Sequence, residues 1–85
     1  MVVNKEYAKK LNYFGSVMQA YGYIDDYVFG ITENNRDKME FTYKGLNCIV
    51  VYIPTKGFQC YVENEDIGIF PNYEKFKNYV DKVIL

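Results

Sequence analysis

The chain has 85 residues, of which 49% are hydrophobic and 19% aromatic, with ten basic and eleven acidic side chains and no histidine. These values predict one globular domain over residues 1–85 and exclude a disordered chain, and the net charge of −1 gives no overall attraction to nucleic acid or anionic lipid. No apolar run approaches the roughly 18 to 20 residues of a membrane span, so we expect no membrane contact and a soluble protein of the bacterial cytoplasm.

The first predicted element is an amphipathic helix from Asn4 to Tyr21. Asn4 is a suitable N-cap and Gly22 a suitable C-cap. Gly15 lies inside the helix, where glycine costs about 1 kcal/mol relative to alanine, and it indicates close packing or a bend. The apolar side of the helix, with residues at three- and four-residue steps, consists of Tyr7, Leu11, Phe14, Met18 and Tyr21.

Residues 27–70 predict an antiparallel sheet of three or four strands. An edge strand is predicted at residues 27–32, and residues 39–43 alternate between apolar and polar as in a half-buried strand. Residues 46–53 and 58–63 form a hairpin around the turn at Pro54 to Gly57. A polar turn at residues 64–66 then leads to a short apolar segment at residues 67–70.

The hairpin is apolar on both alternating faces, whereas a sheet exposed to water on one side normally carries polar residues there. We predict that helices cover the face with Leu46, Cys48, Val50, Tyr52, Phe58, Cys60 and Val62. The other face is a candidate interface, since exposed apolar patches usually mark interaction sites. It consists of Ile49, Val51, Ile53 and Tyr61 with Gln59 at its rim.

A single chain has too few helices to cover both faces of this sheet. We therefore expect the candidate interface to be covered by a second copy of the chain, giving a homodimer, or by a protein target. A cleft between two copies could also hold a small nucleotide.

The last predicted element is a helix that begins after Asn72 and continues to the end of the chain. Its buried stripe is predicted to contain Tyr73, Phe76, Val80, Val83 and Ile84, so the C-terminus is expected to dock. The element order predicts an α+β fold in two layers, α-β-β-β-α.

Cys48 and Cys60 are the only cysteines. A three-residue turn at residues 55–57 would place Cys60 opposite Tyr52 and Cys48 opposite Asn64. Because a disulfide needs Cα atoms within about 7 Å, we predict that both thiols are free and buried.

Charge is divided between the predicted loops and helices. Lysines lie on the two helices, whereas a candidate acidic surface is formed by Asp25, Asp26, Glu63, Glu65 and Asp66. The acidic loops could face a basic groove of a partner, and the lysines with exposed tyrosines could contact nucleic acid, although the net charge does not favour this. Loop carboxylates are usually solvated, so we expect no metal site.

The sequence contains few residues suited to catalysis. The absence of histidine removes the commonest general base and most zinc sites. Ser16 is the only serine and lies in a predicted helix, and neither cysteine has an activating partner in the sequence. The glycines are scattered and form no phosphate loop. We expect a protein without enzymatic activity and without a cofactor.

The segments Phe41-Thr-Tyr-Lys-Gly45, Ile67-Gly-Ile-Phe70 and 73–81 resemble small sheet-then-helix proteins of phages, prophages and plasmids. The resemblance covers the C-terminal half and implies a mobile-element accessory protein, some of which inhibit host nucleases and other defence systems. The element order is also similar to that of double-stranded RNA-binding domains. However, Asn72-Tyr-Glu-Lys stands where that family has a lysine-rich helix start. The sequence thus predicts a protein-binding inhibitor or regulator.

Overall fold

A five-stranded sheet and two helices make up the computed structural model, which describes residues 2–85. Within this range no helix is both long and apolar enough to cross a membrane. In chain order the elements are α1 (Lys5–Ala20), β1 (Tyr27–Ile31), β2 (Asp37–Tyr43), β3 (Leu46–Ile53), β4 (Gly57–Val62), β5 (Glu65–Phe70), α2 (Tyr73–Tyr79) and a π-helical turn (Val80–Ile84).

The strands form an antiparallel meander in the order β1-β2-β3-β4-β5. The α+β class and the helix–sheet–helix order are therefore confirmed, but the sheet has five strands where three or four were predicted. The short apolar segment of residues 67–70 is part of β5, which begins at Glu65. The sequence signal for this strand is weak because strands disfavour Glu65, Asp66 and Gly68. In the structure the β4–β5 register shifts between Cys60 and Tyr61, and Gly68 has φ +113°.

Local signals fix both ends of α1 as predicted. The Asn4 side chain accepts hydrogen bonds from the Glu6 and Tyr7 N–H groups at 3.0 and 3.2 Å. At the other end Gly22 has φ +78°, and the Tyr23 N–H donates to the Met18 carbonyl at 2.9 Å. This arrangement is a Schellman motif, which pairs carbonyls that the helix end leaves open.

Gly15 marks the closest approach of α1 to the sheet. A Cβ atom at this position would lie 2.6 Å from Met39 Sδ and 3.0 Å from the Tyr27 ring. The predicted close packing is thus confirmed, and only glycine lets α1 lie this near to β1 and β2.

The β3–β4 register differs from the predicted one. Ile53 pairs with Gly57, so the connecting loop is residues 54–56. Gly57 has φ +127° and begins β4, which moves the pairing by two residues. Cys60 lies opposite Val50 and Cys48 opposite Val62, in place of Tyr52 and Asn64. Both cysteines are nevertheless buried and free, as predicted.

The core lies between the helices and one face of the sheet. The helices contribute Leu11, Phe14, Met18, Phe76 and Val80, all almost fully buried. The predicted covered face is confirmed, with Leu46 and Tyr52 partly buried at its margin. The sheet contributes Met39, Phe41, Tyr43, Cys48, Val50, Phe58, Cys60 and Val62.

The end of the chain does not dock as predicted. Phe76 and Val80 are fully buried, but Val83 is 61% exposed, and Ile84 is also exposed. The helix widens at Val80 into a π turn, whose longer hydrogen-bonded repeat turns the later side chains away from the sheet.

Candidate functional site

Both helices pack on one face of the sheet and leave the other uncovered. Among residues 2–85, Val51 is the one buried apolar side chain that lies outside the core cluster. It points to the opposite side from Val50, its fully buried neighbour. We call this side the open face; strand register assigns to it Val28, Gly30, Lys38, Glu40, Thr42, Asn47, Ile49, Val51, Ile53, Gln59, Tyr61 and Ile69.

The predicted interface residues are brought together at the centre of the open face. Ile49 pairs with Tyr61, and Val51 pairs with Gln59. Val51 is only 6% exposed, although no helix covers it. The other predicted interface residues are half-buried: Ile49, Ile53, Gln59 and Tyr61. These side chains shield each other and form an apolar centre around Val51.

A depression of about 580 Å³ lies over this centre. Ile49, Val51, Gln59 and Tyr61 line it, and Ile53 lies outside. Neither α1 nor α2 contributes to the lining. The other lining residues come mostly from the β1–β2 hairpin and are Thr32, Glu33, Asn34, Arg36, Lys38 and Asn64. This wall was not predicted from the sequence, because residues 32–36 have the composition of an ordinary polar turn and their position depends on how the hairpin curls over the sheet.

The predicted acidic surface divides into two parts. Asp25, Asp26 and Glu63 line a second depression of about 790 Å³, together with Glu40. It adjoins the first, with which it shares Ile49 and Asn64, and again neither helix contributes to it. Within residues 2–85, no three Asp, Glu, Cys or His side chains are grouped closely enough to hold a metal ion.

Glu65 and Asp66 belong to the other part and begin β5, where sequence analysis predicted a turn. The Asp66 carboxylate accepts hydrogen bonds from Gln59 Nε2 at 2.8 Å and from the Gly68 N–H at 2.9 Å. Asp66 therefore supports the edge of the sheet and the rim of the apolar centre.

Both ends of the open face carry charges of both signs, since Lys44 lines the depression near Asp25 and Glu33 lines the depression near Arg36. Asp25 and Asp26 precede β1, whereas Arg36 and Lys38 lie beside its other end. Lys38 pairs with Glu40 at 3.2 Å. Arg36 is the only arginine of the chain and is exposed, and it forms no salt bridge among residues 2–85.

Tyrosines are stacked on the helix side of the molecule. The Tyr21 ring lies 5.7 Å from the Tyr23 ring and 6.2 Å from the Tyr73 ring, and both pairs are stacked. Lys77 Nζ is 4.7 Å from the centre of the Tyr23 ring. Clusters of this kind can bind single-stranded nucleic acid, because bases stack on the aromatic rings and the cationic groups attract the phosphates.

The strongest polar network joins α2 and the π turn to the sheet. The buried Tyr43 hydroxyl donates to Asp81 Oδ1 at 2.6 Å, and Lys77 and Lys44 donate to the same carboxylate at 2.9 and 3.0 Å. The hydrogen bonds from Tyr43 and Lys77 lower the pKa of Asp81, and burial raises the pKa of Tyr43. The network ties α2 and the π turn to β2, which makes it a structural anchor.

The two thiols lie in the core between the helices and the sheet. Burial raises the pKa of Cys48 to about 12 and raises the pKa of Cys60 as well. Because the thiolate is the reactive form, neither group is activated as a nucleophile.

Comparison with family models, curated proteins and solved structures found no match to this chain. The resemblance to mobile-element accessory proteins therefore stays a prediction. The open face and the tyrosine cluster are the two candidate binding surfaces described above.

Proposed function

We propose that this protein is a non-enzymatic binding module whose open face holds a convex element of a target protein. The observation that carries the proposal is the depression over Val51, lined by four of the five residues predicted as an interface. Apolar side chains form its floor and polar groups its wall, which is the usual arrangement of a protein interface. The half-buried Tyr61 ring supplies the kind of side chain that dominates binding energy at such sites.

The concave shape favours a different protein over a second copy as the occupant. A two-fold dimer needs a self-complementary surface, and two facing depressions leave a void between them. A protruding loop or helix fills the depression without that void. The expectation of a homodimer through this face stays a prediction, which the test of β1 pairing below also addresses.

The resemblance to mobile-element accessory proteins supports a host protein as the target, such as a nuclease or another defence component. A small domain can inhibit such a protein by occupying a surface that its substrate or its partner needs. This mode of action requires neither a nucleophile nor a metal.

Inhibition by occupancy has a stoichiometric signature. We expect a target isolated on the immobilised protein and then titrated in solution to reach full inhibition at about one equivalent, without sensitivity to chelators, because each target molecule must be covered. Full inhibition far below one equivalent would show turnover and contradict the proposal. A target captured without any change in its activity would exclude the inhibitor role while leaving the binding role intact.

A second candidate function is supported by the stacked tyrosines and Lys77. This cluster could place bases of single-stranded nucleic acid on the Tyr21 and Tyr73 rings, with the helix lysines near the phosphates. Binding of that kind weakens steeply with salt, whereas an apolar protein interface does not. The net charge of −1 makes this the less favoured function.

A further inference from the structure

The two edges of the sheet are built differently. The β5 edge has the register shift near Cys60 and a glycine with φ +113° at Gly68, and the Asp66 carboxylate already binds the Gly68 N–H. Bulges and charges of this kind prevent a strand from pairing with another chain. The β1 edge has five residues without a charged side chain, and its register with β2 is regular. β1 is the edge that remains suitable for pairing.

The backbone groups that β1 turns outward follow from its pairing with β2. The Thr32 N–H donates to the Arg36 carbonyl at 2.8 Å, which makes this a hydrogen-bonded pair. Such pairs alternate along an antiparallel ladder, so the next are Gly30 with Lys38 and Val28 with Glu40. The N–H and C=O groups of the intervening residues therefore point away from the sheet: Tyr27, Phe29 and Ile31.

We infer that two copies of this chain associate by antiparallel pairing of their β1 strands about a two-fold axis at Phe29. In this register Phe29 meets Phe29 of the second copy, and Tyr27 meets Ile31. All the outward backbone groups find partners, with about six hydrogen bonds in total. A shift of the axis by one residue would leave some of them unpaired. The strand is thus complementary to itself.

Two of the charges next to β1, those of Asp26 and Arg36, suit the same arrangement, whereas Asp25 would lie opposite the exposed Glu33 of the second copy. Asp26 and Arg36 lie near opposite ends of the strand, about 20 Å apart, and do not pair within one chain. Antiparallel pairing places Asp26 opposite Thr32 of the second copy, next to its Arg36. Both side chains are exposed in the single chain. The two-fold axis forms the Asp26–Arg36 contact twice, which makes this pair the one to test by charge exchange.

The exposed ring of Phe29 supplies the apolar part of the contact. It is 43% exposed, because α1 packs on β2 and β3 and reaches β1 mainly through Tyr27, whose hydroxyl donates to Asn12 Oδ1 at 2.9 Å. Across the axis the two Phe29 rings face each other as a cross-strand aromatic pair. The inference rests on the β1 edge and not on the proposed function, but Asp26 and Arg36, which the second copy contacts, also line the two depressions.

Light scattering with matched variants tests the inference. Phe29 and Ile69 are apolar side chains on the two edge strands, each 43% exposed. At about 100 μM, where interfaces of micromolar affinity are occupied, the wild-type protein should have twice the 10.1 kDa mass of one chain. Phe29→Lys should raise the dimer dissociation constant at least about tenfold, and Ile69→Lys should leave it unchanged.

A wild-type monomer at this concentration would overturn the inference. So would dissociation by Ile69→Lys while Phe29→Lys stays dimeric, a result that would point to the open face.

Exchanging the charges of Asp26 and Arg36 tests the register of the β1 pairing. This test remains valid if circular dichroism shows that Phe29→Lys does not fold. Asp26→Arg and Arg36→Asp should each weaken the dimer about fivefold at low salt, since each places like charges together twice per dimer. The double variant should restore wild-type affinity. If either single variant leaves affinity unchanged, or the double variant is no better than the singles, the proposed pairing is wrong.

Discussion

Asp81 shows how one carboxylate can hold a chain segment in place. It accepts hydrogen bonds from Tyr43 on β2, Lys44 in the β2–β3 turn and Lys77 on α2. Tyr43 is fully buried, so without Asp81 its hydroxyl would lose its partner. This role of Asp81 could not be predicted from the sequence, because its partners lie 4, 37 and 38 residues away and only the packing of α2 brings them together.

Asp81→Asn should lower the free energy of unfolding by about 1 to 2 kcal/mol at pH 7, because the amide is a weaker acceptor for three donors. The folded-state pKa of Asp81 lies below its ordinary value of 3.8. The stabilisation is therefore complete above that value and is lost as pH falls through the lower folded-state pKa. Urea titrations at several pH values measure this difference, which should shrink under strongly acidic conditions.

The control for this prediction is Glu74→Gln, an exposed acid in the first turn of the same helix. It should change the stability by no more than about 0.5 kcal/mol. Equal effects of the two variants, or a loss in Asp81→Asn that does not depend on pH, would mean that Asp81 is no anchor.

At the scale of elements, α1 depends on Gly15 for its position against the sheet. Gly15→Ala should gain about 1 kcal/mol from helix propensity. The new Cβ, however, would meet Met39 Sδ at 2.6 Å, and Met39 is fully buried and cannot easily move. Overpacking of this kind costs about 1 to 3 kcal/mol, so we expect a net loss of up to about 2 kcal/mol.

Thermal unfolding measures this loss, with Ser16→Ala as the control on the same helix. Ser16 is half-buried and its hydroxyl bonds only the Tyr13 carbonyl, so that variant should be neutral or slightly stabilising. A Gly15→Ala protein more stable than the wild type would show that the helix has room to shift.

The elements that could be predicted are those with local signals. Asn4 and Gly22 delimit α1, and the Lys44-Gly45 turn, with both φ values positive, joins β2 to β3. The β3–β4 register failed because the sequence does not show whether Gly57 ends the loop or begins the strand. The exposed Val83 was misplaced because the π turn breaks the 3.6-residue period on which the helical stripe was predicted.

Only the part of the candidate site that follows from local sequence pattern could be predicted. The apolar residues of the open face follow from strand alternation, so Ile49, Val51 and Tyr61 could be placed without a structure. Arg36 and the rest of the hairpin wall could not, because their contribution depends on the twist of the sheet and on the path of a loop.

At the scale of the whole molecule, the two sides carry different candidate surfaces. The open face has an apolar centre with charged side chains of both signs around it, and the helix side has stacked tyrosines beside Lys77. Pairing through β1 would place two open faces side by side in one continuous sheet. A target with two binding elements would then gain affinity by engaging both copies.

The proposed function requires that the open face, and not the helix side, binds the target. Tyr61 and Tyr73 are both half-buried tyrosines, one on each side, and they form a matched pair for alanine substitution. The decisive measurement is the calorimetric affinity of each variant for the isolated target. Tyr61→Ala should weaken binding by about 2 kcal/mol, or roughly 30-fold in Kd, while Tyr73→Ala stays near wild type. Wild-type affinity in Tyr61→Ala together with a large loss in Tyr73→Ala would contradict the claim and move the binding site to the helix side.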